Sequence, residues 1–234
     1  MIDFDNAVYN RDGFDLAINF KVGVGRFVAV LGPSGAGKST VLNLIAGFEH
    51  LRAGRILLNG TDVAKTPPAE RPVSMVFQDN NSFAHLDVRS NVAVGLAPDL
   101  KLSMEQWKAV DAAIGRVGLA QLTHRKPGEL SGGERQRIAV ARVLVRQMPI
   151  LLLDEAFAAL GPALSRDMLD LVKQLAHEKN LTVLMVTHNP WEAKYACDEV
   201  VFIDAGIARA PIAMQAFIKT RKDAAIKRYL GALD

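Results

Sequence analysis

RFVAVLGPSGAGKST, residues 26–40, decides the fold. A short apolar run ends in a glycine-rich loop. A lysine and two hydroxyls follow, and KSTVLNLIAG then has the apolar spacing of a helix stopped at Gly47. Residues 32–40 match G-x-x-x-x-G-K-[ST] in the strand–loop–helix setting that pattern needs. The loop residues Gly32, Pro33, Ser34, Gly35, Ala36 and Gly37, with Thr40, surround the phosphates of a nucleoside triphosphate, every one but Pro33 offering a backbone N–H. Lys38 adds a point charge at the outer phosphates, and the Ser39 hydroxyl is placed to ligate Mg²⁺.

A loop of this kind needs a carboxylate for its metal. ILLLDE, residues 150–155, is an apolar strand ending in two acids, which belong at the sheet edge because buried unpaired charge is costly. Asp154 is expected to hold the metal. Glu155, pointing to the other face of the strand, is expected to deprotonate a water aimed at the γ-phosphate. His188 ends a third buried strand, LTVLMVT, where ligands of such sheets gather, and Gln78 ends VSMVFQ in the same way.

The rest of the chain supplies strands and helices in alternation. FDLAINF, RILLNG, VSMVFQ and EVVFID read as strands. SMEQWKAVDAAIGRVG, PALSRDMLDLVKQLAHE and PWEAKYAC read as helices, and TPPAERP as proline-rich loop. This pattern predicts an α/β protein with a parallel sheet. An antiparallel β portion lies at the N-terminus, and a helical insertion occupies about residues 80–147 of one domain spanning residues 1–234. Half of the 234 residues are hydrophobic, enough for a substantial core.

Composition excludes several classes. The net charge of +3, from 28 basic and 25 acidic residues, is too balanced to imply nucleic-acid binding by composition. The single cysteine, Cys197, leaves no internal disulfide and is expected to be a small buried hydrophobe. MIDFDNAVYN has neither a basic start nor an apolar stretch, so no secretory leader is expected. No apolar run reaches the roughly 18 residues of a membrane span.

One motif remains. LSGGERQRIAV, residues 130–140, starts a helix with Ser131 and Glu134 at capping-box spacing. Gly132 and Gly133 stand between them, each costing a helix interior about 1 kcal/mol against alanine. Glycine there lets something approach the backbone closely, and a helix N-terminus attracts anions. This second anion seat serves either a separate ligand or the nucleotide of another copy. The latter needs one ligand type and gives a two-fold dimer.

The ordered set GPSGAGKST, Gln78, LSGGE, ILLLDE and His188 resembles the nucleotide-binding subunit of ABC transporters along essentially the whole chain. The resemblance implies a P-loop NTPase (RecA-like) core of ABC ATPase type, with ATP and Mg²⁺ as ligands. It implies that Lys38 binds phosphate, that Ser39, Gln78 and Asp154 serve the metal, and that Glu155 is the catalytic base with His188 as γ-phosphate switch. It implies that Ser131, Gly132 and Gly133 contact the ATP of a second copy, and that Tyr9 stacks on adenine. The partners it implies are that second copy, membrane-spanning permease subunits and a periplasmic solute-binding protein, with no nucleic acid. The place it implies is the cytoplasmic face of the inner membrane, held peripherally.

Within the family, TPPAERPVSMVFQDNNSFAHL and PDLKLS are similar to the ATPases of bacterial thiamine importers, which implies thiamine as cargo and residues 79–87 as the permease contact. Iron, a polyamine or an anion is the alternative cargo, and an ABC ATPase acting on nucleic acid a further alternative. Three positions depart from the family pattern: Glu134 for glutamine, Ala156 for proline, and Gly161 for aspartate in AALG, residues 158–161.

Overall fold

The computed structural model describes residues 1–77, 82–220 and 223–231. Gln78 and residues 79–81 of the expected permease contact lie outside the described residues.

The chain opens with a hairpin of β1 (Ile2–Arg11) and β2 (Phe14–Val22), then runs through β3 (Phe27–Leu31) into α1 (Lys38–Ala46). β4 (Ala53–Leu58), β5 (Thr61–Asp62) and β6 (Val73–Val76) follow. The predicted helical insertion is α2 (Val88–Ala93), α3 (Met104–Arg116) and α4 (Gly132–Arg146). Alternation then resumes with β7 (Ile150–Asp154), α5 (Pro162–Lys179), β8 (Thr182–Val186), α6 (Pro190–Ala196) and β9 (Glu199–Asp204). Short β10 (Ile207–Ala208) and β11 (Ile212–Ala213) precede α7 (Met214–Lys219) and α8 (Ala224–Gly231).

Strand order is β5-β4-β1-β2-β10-β9-β3-β8-β7-β6, with β11 on β9. From β9 to β6 every neighbour is parallel, while β1, β2, β4 and β5 pair antiparallel. β10 pairs parallel with β2 and antiparallel with β9, joining the two portions.

Strand period explains why both faces are covered. Phe27, Ala29, Leu31, Leu151, Leu153, Val183 and Met185 enter one core with the helices of the insertion and α5 to α7. Their chain neighbours Val28, Val30, Ile150, Leu152, Leu184 and Val186 enter another with α1 and the antiparallel strands. Continuous apolar runs are what strands buried on both sides require. Three of the five parallel strands, β3, β7 and β8, therefore deliver their C-terminal ends, Leu31, Asp154 and Val186, to one sheet edge.

TPPAERP holds a residue with more structure than a loop implies. Arg71 is 2 % exposed. Its guanidinium donates to the carbonyls of Leu44 at 2.6 Å, Ile45 at 2.9 Å, Val63 at 2.8 Å and, through Nε, Thr66 at 2.9 Å. Leu44 and Ile45 lie in the last turn of α1, whose carbonyls lack helical partners. Arg71→Met should cost about 3 kcal/mol of stability, since each buried acceptor left unpaired costs roughly 1–3 kcal/mol. Urea unfolding checks this, and a loss below about 1 kcal/mol would show that water replaces the guanidinium.

Candidate functional site

The loop between β3 and α1 turns sharply enough to need glycine at Gly37, where φ is +99° and an added Cβ would lie 2.7 Å from the Phe14 ring. Lys38 folds back over the loop, donating to the carbonyls of Gly32 at 3.0 Å and Pro33 at 2.8 Å. Burial lowers its pKa, against the opposing pull of Glu155 and Asp154. The loop lines a cavity of about 370 Å³ with Phe14, Lys38, Ser39, Thr40 and Glu155 on its walls.

Across the sheet edge, Ser39 Oγ donates to Asp154 Oδ1 at 2.8 Å. Burial raises the Asp154 pKa, the Ser39 hydrogen bond lowers it, and the Glu155 charge raises it again. A half-buried carboxylate beside a hydroxyl offers hard oxygen donors only. That pair suits Mg²⁺, which keeps waters and phosphate oxygens for most of its coordination. No cluster of three His, Cys, Asp or Glu side chains able to hold a metal occurs among the described residues, so phosphate would have to complete such a site.

Glu155 does not point to the other face of β7. It leaves the strand with φ of +46°, a left-handed conformation that costs a non-glycine residue roughly 1–2 kcal/mol. This breaks the alternation and puts Glu155 in the same cavity as Ser39. The turn is held by the Glu155 N–H on the Val186 carbonyl at 3.0 Å and by the Ala158 N–H on the Glu155 carbonyl at 3.1 Å. Gln136 of α4 donates its side-chain amide to the Ala156 carbonyl. His188, just after β8, brings Nδ1 to 3.2 Å from Glu155 Oε2. Lys38, Ser39, Asp154, Glu155 and His188 thus meet at one place from three strands.

Tyr9 is not at this place. It is 5 % exposed in the core below β1 and β2, its ring 6.3 Å from that of Phe14. Phe14 reaches the cavity instead. It ends the apolar row Phe14, Leu16, Ile18, Phe20 of β2, and only that end is left half exposed.

The capping box of the second motif forms as its spacing implies. Ser131 Oγ accepts from the Glu134 N–H at 3.3 Å, and Glu134 Oε2 accepts from the Ser131 N–H at 2.7 Å. The Ser131 N–H, and after it the Ser131 hydroxyl donating to Glu134 Oε2 at 2.8 Å, lower the Glu134 pKa. Gly133 packs closely on α5: a Cβ there would lie 2.1 Å from Leu164 Cδ2, so that side chain would have to shift. Ser131, Gly132 and Gly133 line no part of the phosphate-loop cavity.

A phosphate loop opening a helix, beside a strand ending in an acid pair and a histidine from the next strand, defines a nucleoside triphosphatase of the P-loop class. The model of the ABC transporter family matches residues 16–158. The thiamine import ATP-binding protein ThiQ of Brucella suis biovar 1 is 52 % identical over 221 residues, covering 94 % of this chain and 92 % of that protein. ThiQ of Mesorhizobium japonicum is 48 % identical over 231 residues, covering 99 % and 91 %. Among solved structures, the dimeric ATP-binding cassette MJ0796, in a post-hydrolysis state with ADP and Pi, superposes with a TM-score of 0.79 at 27 % identity, over 92 % of this chain and 99 % of that one. The chain belongs to the ATP-binding cassette ATPases of ABC transporters. No helix of the described residues is long and apolar enough to cross a membrane.

Proposed function

We propose that two copies of this chain close head to tail over two ATP molecules, and that closure drives a permease importing thiamine across the inner membrane. One observation carries the reading. Lys38, Ser39 and Glu155 share a cavity that residues 131–133 do not line, and in this reading those residues serve the nucleotide of a second copy instead.

In this reading Lys38 and the loop amides hold the outer phosphates, and Ser39 and Asp154 hold Mg²⁺. Gln78 is assigned to the same ion on motif alone. Magnesium, when bound, neutralises charge on the phosphate oxygens. Glu155 takes the proton of the attacking water, and His188 steadies Glu155 and the γ-phosphate. Phe14, rather than Tyr9, supplies the apolar surface for the base. ATP bridging both copies favours the closed state, and the permease follows because the two states differ in affinity for nucleotide.

The names of relatives at 48–52 % identity support thiamine as cargo, as does the similarity of the segment around Gln78. A periplasmic solute-binding protein would deliver it, and the chain would sit peripherally on the cytoplasmic face. Cells lacking this protein should regain radiolabelled thiamine uptake when given the wild type and not when given an inactive variant. No uptake with an active ATPase present would remove thiamine.

Permease contact is assigned to the rim of a cavity of about 250 Å³ lined by Ser74, Phe77, Phe83, Gly95, Arg142 and Arg146. Phe83 is 47 % exposed there. Buried Asn91 holds residues 83–87 in shape, accepting from the Phe83 N–H at 2.8 Å and donating to the carbonyls of Phe83, Leu86 and Asp87 at 2.9–3.0 Å.

Gly161 bears on communication between the two ATP sites. It is the N-cap of α5 with no side-chain cap, and a Cβ there meets nothing within 4 Å. Gly161→Asp is therefore free of steric cost and adds a cap worth a few tenths of a kcal/mol. Its Hill coefficient for ATP should rise above that of the wild type in steady-state hydrolysis. An unchanged coefficient would show that residue 161 does not link the sites.

A further inference from the structure

Glu192 of α6 is buried, 5 % exposed, and the chemistry above makes no use of it. Its carboxylate accepts the Ser165 hydroxyl at 2.8 Å on one oxygen and the Thr187 hydroxyl at 2.6 Å on the other. Thr187 Oγ1 in turn accepts the Asn189 N–H at 3.0 Å. Ser165 and Thr187 are themselves 3 % exposed, so all three side chains are buried.

The two arms reach different loops. Ser165 lies in the first turn of α5, its N–H on the Gly161 carbonyl at 2.9 Å, directly after the segment that follows Glu155. Thr187 and Asn189 flank His188. The His188 side chain is 64 % exposed, and among the described residues Glu155 is its polar partner. An exposed ring is placed by its backbone, and here the residues on both sides are tied to Glu192 through the Thr187 hydroxyl. We infer that Glu192 is a positioning residue: it clasps the loop bearing His188 to the helix start that follows Glu155, and so sets the His188–Glu155 contact.

This inference rests on the reading that Glu155 and His188 act in ATP hydrolysis. Two hydroxyls given to one carboxylate form a charge-assisted pair, stronger than neutral hydrogen bonds and directional at both ends. Losing one arm frees one loop without altering the phosphate loop, since none of the three residues lines that cavity. The defect should therefore fall on kcat and not on nucleotide affinity.

Thr187→Val removes one hydroxyl and keeps the branched shape; Glu192→Ala removes the whole clasp. Each is measured for ATPase kcat and KM, for nucleotide binding and for melting temperature, alone and combined with His188→Ala. Thr187→Val should lower kcat about ten-fold, leave KM for ATP within two-fold, and lower kcat less than two-fold further when His188 is already alanine. Ser165→Ala should follow the same pattern. A wild-type kcat in Thr187→Val, an equal fall with and without His188, or a fall matched by lost nucleotide binding would overturn the inference. Should Glu192→Ala fail to fold, the Thr187 and Ser165 variants decide alone. A wild-type rate in His188→Ala by itself would instead remove the site reading beneath it.

Discussion

Glu155→Gln should hydrolyse ATP between about 100 and 10,000 times more slowly than the wild type, the range that a lost general base removes. Its nucleotide affinity should stay within about three-fold. The substitution keeps the side chain's length and the backbone bonds that hold the turn, the Glu155 N–H on Val186 and the Ala158 N–H on the Glu155 carbonyl. What it removes is the acceptor for the water's proton. The amide can still meet His188, so the cavity keeps its shape while losing the base. Single-turnover hydrolysis with saturating ATP checks this. A rate within ten-fold of the wild type would transfer the proton acceptance to another group.

Lys38→Met should weaken ATP binding by roughly 100-fold or more, and hydrolysis with it. Two unit charges about 4 Å apart attract by about 4 kcal/mol at an effective dielectric of 20, and the partly open cavity reduces that figure. Lys38 Nζ, 2.8–3.0 Å from the carbonyls of Pro33 and Gly32, stands across the loop where the outer phosphates would enter. Methionine keeps most of the stem and loses only the ammonium, so the change reads the charge. Fluorescent nucleotide titration gives the affinity. A dissociation constant within three-fold of the wild type would mean that the backbone amides hold the phosphates unaided.

Much of this architecture can be read from residues alone, for identifiable reasons. The strand–loop–helix at residues 26–40 has fixed turn chemistry, and ILLLDE and LTVLMVT are apolar on both faces, so parallel burial follows. Ser131 and Glu134 form their box because capping is local and needs no tertiary partner. Cys197 is buried as its isolation implies, with burial raising its thiol pKa.

What escaped depends on distant partners or on single dihedral angles. The positive φ of Glu155 inverts its facing, and no residue pattern announces it. Tyr9 and Phe14 differ by where β1 and β2 end relative to the phosphate loop, which only sheet register fixes: Tyr9 pairs with Leu16, Arg11 with Phe14. Arg71 is drawn inward by carbonyls of α1, which begins 33 residues earlier in the chain. Gln136 reads as one more polar residue of a capped helix until α4 is packed against the turn after Glu155.

Light scattering of Glu155→Gln with saturating ATP and Mg²⁺ tests the central claim directly. The mass should double from that of one 25.4 kDa chain, with two ATP bound per particle, and Ser131→Arg should abolish the doubling while leaving ATP on the separate chains. A single-chain mass with nucleotide fully bound, in the presence of the permease as in its absence, would contradict the shared pocket.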